Sequence, residues 1–156
     1  MNPEWVRELC LSLPGATEHV IWGSDLTFKV AGRMFTHTVL EPAPVWLSFK
    51  TAPEQFYELT ERQSIVPAPY MARAQWVALQ TRDALSGEEL AALIRNSYEL
   101  VVARLPKKTR AALARGETIK VPPPRKKSSA KTVAKKKQTP KRAGKKRALT
   151  KRGSRD

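Results

Sequence analysis

The sequence predicts an α+β domain in two layers, an antiparallel sheet packed against helices, followed by a strongly basic tail. Three observations carry this reading: period-two apolar alternation between residues 26 and 50, helical periodicity on either side of it, and a collapse of composition after Lys120.

The elements follow in order. Asn2 is a good N-cap, Pro3 suits a first helical turn, and Val6, Leu9, Cys10 and Leu13 recur at helical spacing until Pro14–Gly15 ends the helix. Leu26, Phe28 and Val30 then alternate with Thr27 and Lys29, and Ala31–Gly32 offers a tight turn into RMFTHTVL. A two-residue turn would pair Phe28 with Phe35 on one face and Lys29 with Met34 on the other, with His37 in register with Leu26. A third strand, VWLSFK, follows Pro42 and Pro44 and puts Val45, Leu47 and Phe49 on one face.

Thr51 and Glu54 have capping-box spacing ahead of a helix, PEQFYELTER. SIVPAPYMARA reads as a short strand or loop and WVALQT as another strand. Ser86 and Glu89 form a second capping box, opening a helix with the stripe Leu90, Leu93, Ile94, Ser97, Tyr98, Val101 and Leu105. Pro106 interrupts it, KKTRAALAR adds two turns, and Gly116 closes them. The expected order is α-β-β-β-α-β-β-α over residues 1–115. A Pro-rich linker at 116–124, including VPPP, leads to a tail at 125–156 too poor in apolar residues to offset the entropy of ordering it.

Charge is divided unevenly. Residues 1–120 hold 14 Lys/Arg against 13 Asp/Glu, a net +1, whereas residues 121–156 hold 15 against Asp156 alone, a net +14. So many like charges in one segment point to a polyanion partner. The tail cations come in clusters: Arg125, Lys126 and Lys127; Lys135, Lys136 and Lys137; Lys141 and Arg142; Lys145, Lys146 and Arg147; Lys151 and Arg152. The segment is similar to the lysine-rich tails of linker histones and bacterial histone-like proteins. One cysteine, Cys10, excludes an intramolecular disulfide and fits a reducing compartment. Glu4, Arg7 and Glu8 fall where a signal peptide needs an apolar run, and no membrane-spanning stretch is visible, so a cytoplasmic, nucleoid-associated protein is expected.

LPGATEHVIWG (13–23), FKVAGRMF (28–35), LSFKTAPE (47–54), IVPAPYMARAQWV (65–77) and SYELVVARLPKK (97–108) together resemble the MmcQ/YjbR family of small bacterial proteins, in that family's order and spacing. The resemblance spans roughly residues 1–114. It implies a frataxin-like (CyaY-like) arrangement and a double-wing surface described as DNA-binding. The tail lies outside the matched region.

No catalytic constellation is visible. His19 and His37 are the only histidines, no Cys/His/Asp set has metal-ligand spacing, and no glycine-rich phosphate loop occurs. A frataxin-like iron role would need a crowded acidic ridge, yet the first helix offers only Glu4 and Glu8 around Arg7. No enzyme activity, cofactor, metal or small-molecule substrate is expected.

If Phe28, Phe35, Leu47 and Phe49 face the helices, the other sheet face receives Lys29, Thr36, Trp46, Ser48 and Lys50, with Trp76 beside them. Cations for phosphates and aromatics for bases or sugars suit nucleic acid; the same pattern also suits a solvated face whose tryptophans are covered by loops. Arg73 and the run Lys107, Lys108 and Arg110 are the domain's other basic candidates, and Lys107 and Lys108 also read as ordinary solvated helix-terminus residues. The expectation is a non-specific or weakly specific DNA-binding protein. The alternative is a protein-interaction module whose tail binds RNA, ribosomes or an acidic surface. Lysines on a tail do not distinguish DNA from RNA.

Overall fold

The structure, a computed structural model, describes residues 1–21, 23–119 and 121. The first of two units runs from Met1 to Pro123. The expected disorder of 125–156 falls outside the described residues.

Helix α1 (Pro3–Leu11) is followed by β1 (Ala16–Ile21), β2 (Asp25–Val30), β3 (Arg33–Val39) and β4 (Leu47–Lys50). Then come α2 (Pro53–Thr60), β5 (Ile65–Pro67), a 3₁₀ turn (Ala72–Ala74), β6 (Trp76–Leu79), α3 (Gly87–Ala103) and α4 (Lys107–Ala114). All strand pairs are antiparallel in one six-stranded sheet of order β1-β2-β3-β4-β6-β5. Helix α1 packs on β1 and β3, α3 on β2, β3 and β4, and α2 on β5 and β6. The α+β class therefore holds.

The sheet has one strand more than the residues suggested. Strand β1 lies at its edge with only Ala16, Glu18 and Ile21 partly shielded, so it lacks the buried apolar alternation that marks a strand in sequence. Its tether is ionic. Arg7 of α1 grips Glu18 with two bonds of 2.6 and 2.9 Å and also reaches Glu4 at 3.2 Å. Glu18 holds Arg7 charged and Arg7 keeps Glu18 below the usual carboxylate range.

Capping follows the sequence at two helices and departs from it at a third. Asn2 Oδ1 accepts from Trp5 N–H at 2.9 Å and Ser86 Oγ from Glu89 N–H at 3.2 Å. The Glu89 carboxylate does not complete the second box but pairs with Arg62. At α2 the cap position belongs to Ala52, and Thr51 instead donates to the Gln75 carbonyl at 2.9 Å, tying the end of β4 to the start of β6.

A β-bulge changes the hairpin register. Lys29 pairs with Met34 as expected, but Phe28 pairs with Thr36 and Thr27 with His37, leaving Phe35 as the extra residue. Thr36 therefore moves to the helix face, in the row Phe28–Thr36–Phe49–Val77, rather than the opposite face. His37 aligns with Thr27, not Leu26, with Nε2 3.1 Å from Asp25 Oδ2. Phe35 and Tyr98 meet edge to face at 5.5 Å between centroids, and Tyr98 donates to the Pro14 carbonyl at 2.6 Å.

The main core gathers Val6, Cys10, Phe28, Phe35, Leu47, Phe49, Leu90 and Ile94, all fully buried. Cys10 is a structural thiol, pushed up to about 12 by burial against a smaller opposing pull from Thr36. Alternation along β6 sends Val77 and Leu79 into this core and Trp76 and Ala78 into a second cluster with Ala68. Met34, Val45, Val66 and Met71 pack against that cluster.

Ile119 and Val121, both past α4, lie against the domain. A methyl group at Gly15 (φ +65°) would overlap Leu113 of α4, and one at Gly32 (φ +78°) would come within 2.6 Å of Val121 Cγ1. Ile119 is half-buried against the core.

Candidate nucleic-acid interface

Of the eight domain residues expected at the interface, Arg73, Lys107, Lys108 and Arg110 are exposed and Lys29 is partly buried. Trp46, Lys50 and Trp76 are buried. The clusters from Arg125 to Arg152 lie outside the described residues.

The tryptophans do not form an open stacking platform. Trp46 is 6 % exposed, its indole N–H donates to the Thr81 carbonyl at 2.9 Å, and the Arg82 guanidinium lies 5.8 Å from the ring centroid. Trp76 is 5 % exposed and packs with Ala68 and Ala78 beneath the segment carrying Met71. Trp46 belongs to the main core with Leu47 and Phe49, whereas Val45 packs with Trp76 in the second cluster, so the faces expected for Val45 and Trp46 are exchanged: regular pairing with β3 begins only at Leu47. The large exposed aromatic of this region is Tyr70, a non-glycine residue at φ +63°. It lies three positions before Arg73, and its signal in the sequence is the turn-prone PAPY ahead of a basic residue.

Lys50, the last residue of β4, is 8 % exposed and donates from Nζ to the Ala74 carbonyl at 2.6 Å. Burial lowers its pKa below the ordinary lysine value, and repulsion from Arg104 adds to that. Arg104 is the C-cap of α3, and Arg33 is the first residue of β3. With Met34, Trp76 and Val101, these three cations line one open cleft of about 290 Å³ at an end of the sheet. Neither Arg33 nor Arg104 stood out in the sequence, because each is an isolated cation far from Lys50 along the chain.

The pairing of charges matters more than the domain's near-neutral total. Arg7, Arg62 and Arg115 are engaged by Glu18, Glu89 and Glu117. Among the described residues, no carboxylate lies within 4.0 Å of Lys29, Arg33, Lys50, Arg73, Arg104, Lys107, Lys108 or Arg110. Lys107 and Lys108 occupy the first turn of α4, whose cap, Pro106, supplies no side-chain bond and whose first turn holds no acid. Lysines here add to the positive end of the helix dipole instead of offsetting its negative end.

Among the described residues, no group of three His, Cys, Asp or Glu side chains is placed to hold a metal ion. No described helix is long and apolar enough to cross a membrane. Fold and surface together define a small α+β domain with a helix-covered antiparallel sheet and, among the described residues, a surplus of unpaired cations.

A family model described as YjbR matches residues 11–100, and the chain belongs to the YjbR family. It is similar in structure to Deinococcus radiodurans protein DR2400, whose crystal structure carries the family-model domain DUF419. The TM-score is 0.67 at 30 % identity, over 72 % of this chain and 88 % of that one. No curated protein matches the chain.

Proposed function

We propose that this protein binds duplex DNA with little or no sequence preference, the tail supplying most of the affinity and the domain a smaller, geometrically fixed part. The observation that carries this is the division of charge, +1 before residue 121 and +14 after it. Tail lysines neutralise phosphates and release counterions, which gives affinity without reading base edges. In the domain, exposed Arg73, Lys107, Lys108 and Arg110, with Lys29, are cations available to meet a backbone. Tyr70, more exposed than Tyr57, is an aromatic available to lie against a sugar or base, a role that burial makes costly for Trp46 and Trp76. On this reading the protein is a nucleoid-associated binding protein of the cytoplasm, without catalytic activity or cofactor.

The test is a salt titration of duplex binding by the full chain and by residues 1–123, the compact unit that keeps Val121 on Gly32. Neutralising about 6–10 phosphates makes the affinity of the full chain fall roughly 10³–10⁵-fold between about 50 and 200 mM salt. Residues 1–123 bind more weakly, with a flatter slope. Equal affinity and slope for the two would overturn the division of labour. No binding by residues 1–123 at low salt would move the domain to the alternative role, gripping a protein partner while the tail finds nucleic acid.

A further inference from the structure

We propose that the cleft between Arg33, Lys50 and Arg104 is a binding pocket for a single phosphate group carrying an apolar substituent, as a phosphomonoester such as a nucleotide presents. This goes beyond duplex binding, which uses Lys29, Arg73, Lys107, Lys108, Arg110 and the tail.

Four observations support it. First, three cations from β3, β4 and the end of α3 line one cavity, and no described carboxylate lies within 4.0 Å of them. The one acidic residue outside the described segments is Asp156. Second, Lys50 is buried with its ammonium held by a single carbonyl, so two of its three N–H donors remain for a ligand. Burying a lysine beside an arginine is unfavourable on its own, and a bound dianion offsets both desolvation and repulsion. Third, the two arginines offer planar forks suited to phosphate oxygens. Fourth, Met34, Trp76 and Val101 supply an apolar wall beside the cations, which inorganic phosphate alone would leave unused. At about 290 Å³ the cleft suits one phosphate and a small attached group better than a continuous duplex backbone.

The experiment follows the indole N–H resonance of Trp76 in the full chain, assigned through Trp76→Phe. Inorganic phosphate, a nucleoside monophosphate and a short single-stranded oligonucleotide with or without a 5′-phosphate are titrated against chloride at matched ionic strength. The arginine variants keep the whole tail, so a shift lost in them belongs to the cleft and not to phosphate held elsewhere on the chain. The expected result is a saturable shift for each phosphomonoester. Arg33→Ala and Arg104→Ala, both exposed positions, should each weaken it at least about tenfold, as loss of a hydrogen bond to a charged group does. Tighter binding of the 5′-phosphorylated strand than of the monophosphate would assign the phosphate to a strand end, and the reverse order to a free nucleotide. A shift no different from chloride, or one unchanged by both arginine substitutions, overturns the pocket.

Discussion

The Ser97 hydroxyl accepts from the backbone N–H of Lys50 at 3.0 Å while donating to the Phe35 carbonyl at 2.5 Å. The β3–β4 ladder ends at Thr36 and Phe49, so these two main-chain groups are the next along and have no strand partner there. One small polar residue on the buried face of α3 thereby closes the gap beside the bulge. It also fixes the backbone from which Lys50 reaches the cleft.

Ser97→Ala should destabilise the domain by about 1–3 kcal/mol, because it leaves a buried N–H and a buried carbonyl unsatisfied. Urea unfolding of the variant measures this. A loss of only a few tenths would show that water or a small shift of β4 replaces the hydroxyl.

The Cys10 thiol predicts a particular alkaline weakness. Its folded pKa of about 12 lies above the ordinary thiol value of 9.0, so its contribution to stability is complete below about pH 9. Between pH 9 and about 12 the unfolded chain has lost this proton while the folded chain keeps it, and stability falls as pH rises. Burial raises Tyr98 as well, so that residue adds a decline of the same sign. Unfolding measured across this window should show a shallower decline in Cys10→Ala than in the native chain. Equal slopes would mean that the thiol ionises without penalty in the fold.

Gly32 predicts how the segment after α4 is held. Gly32→Ala places a methyl against Val121 and forces alanine to φ +78°, so stability should drop by more than about 1 kcal/mol. Adding Val121→Ala relieves the overlap but not the backbone strain. Thermal unfolding should therefore recover partly in the double variant. Full recovery would assign the whole cost to the overlap.

Exposed cations and buried tryptophans should separate in binding assays. Arg73→Ala and Lys107→Ala should each lower the salt slope of residues 1–123 by about 1, the signature of one lost phosphate contact. Trp46→Ala should leave the slope unchanged and cost about 3–5 kcal/mol of stability, as expected for a buried aromatic. A changed slope for Trp46→Ala with the fold intact would restore that residue to the interface.

Local chemistry made much of the fold legible in the sequence. Asn2 and Ser86 cap helices, the apolar stripe of α3 is buried, and Leu47 and Phe49 enter the core because caps and periodicity act over a few residues. The edge strand β1 was not legible, since its partner is β2 and its anchor is Arg7 rather than an apolar face. The bulge was equally hidden. One inserted residue, Phe35, exchanged the faces expected for Thr36 and His37, and nothing in RMFTHTVL marks it.

By itself the sequence determined the class of fold, the family resemblance and the concentration of charge after residue 121, all properties of composition and short-range pattern. Tertiary structure decided which cations and aromatics are available. It buried Trp46 in the main core and Trp76 in a second apolar cluster, left Tyr70 exposed, and brought Arg33, Lys50 and Arg104 into one cleft. The reason is physical: exposure and convergence depend on contacts between segments far apart along the chain, which local periodicity does not encode.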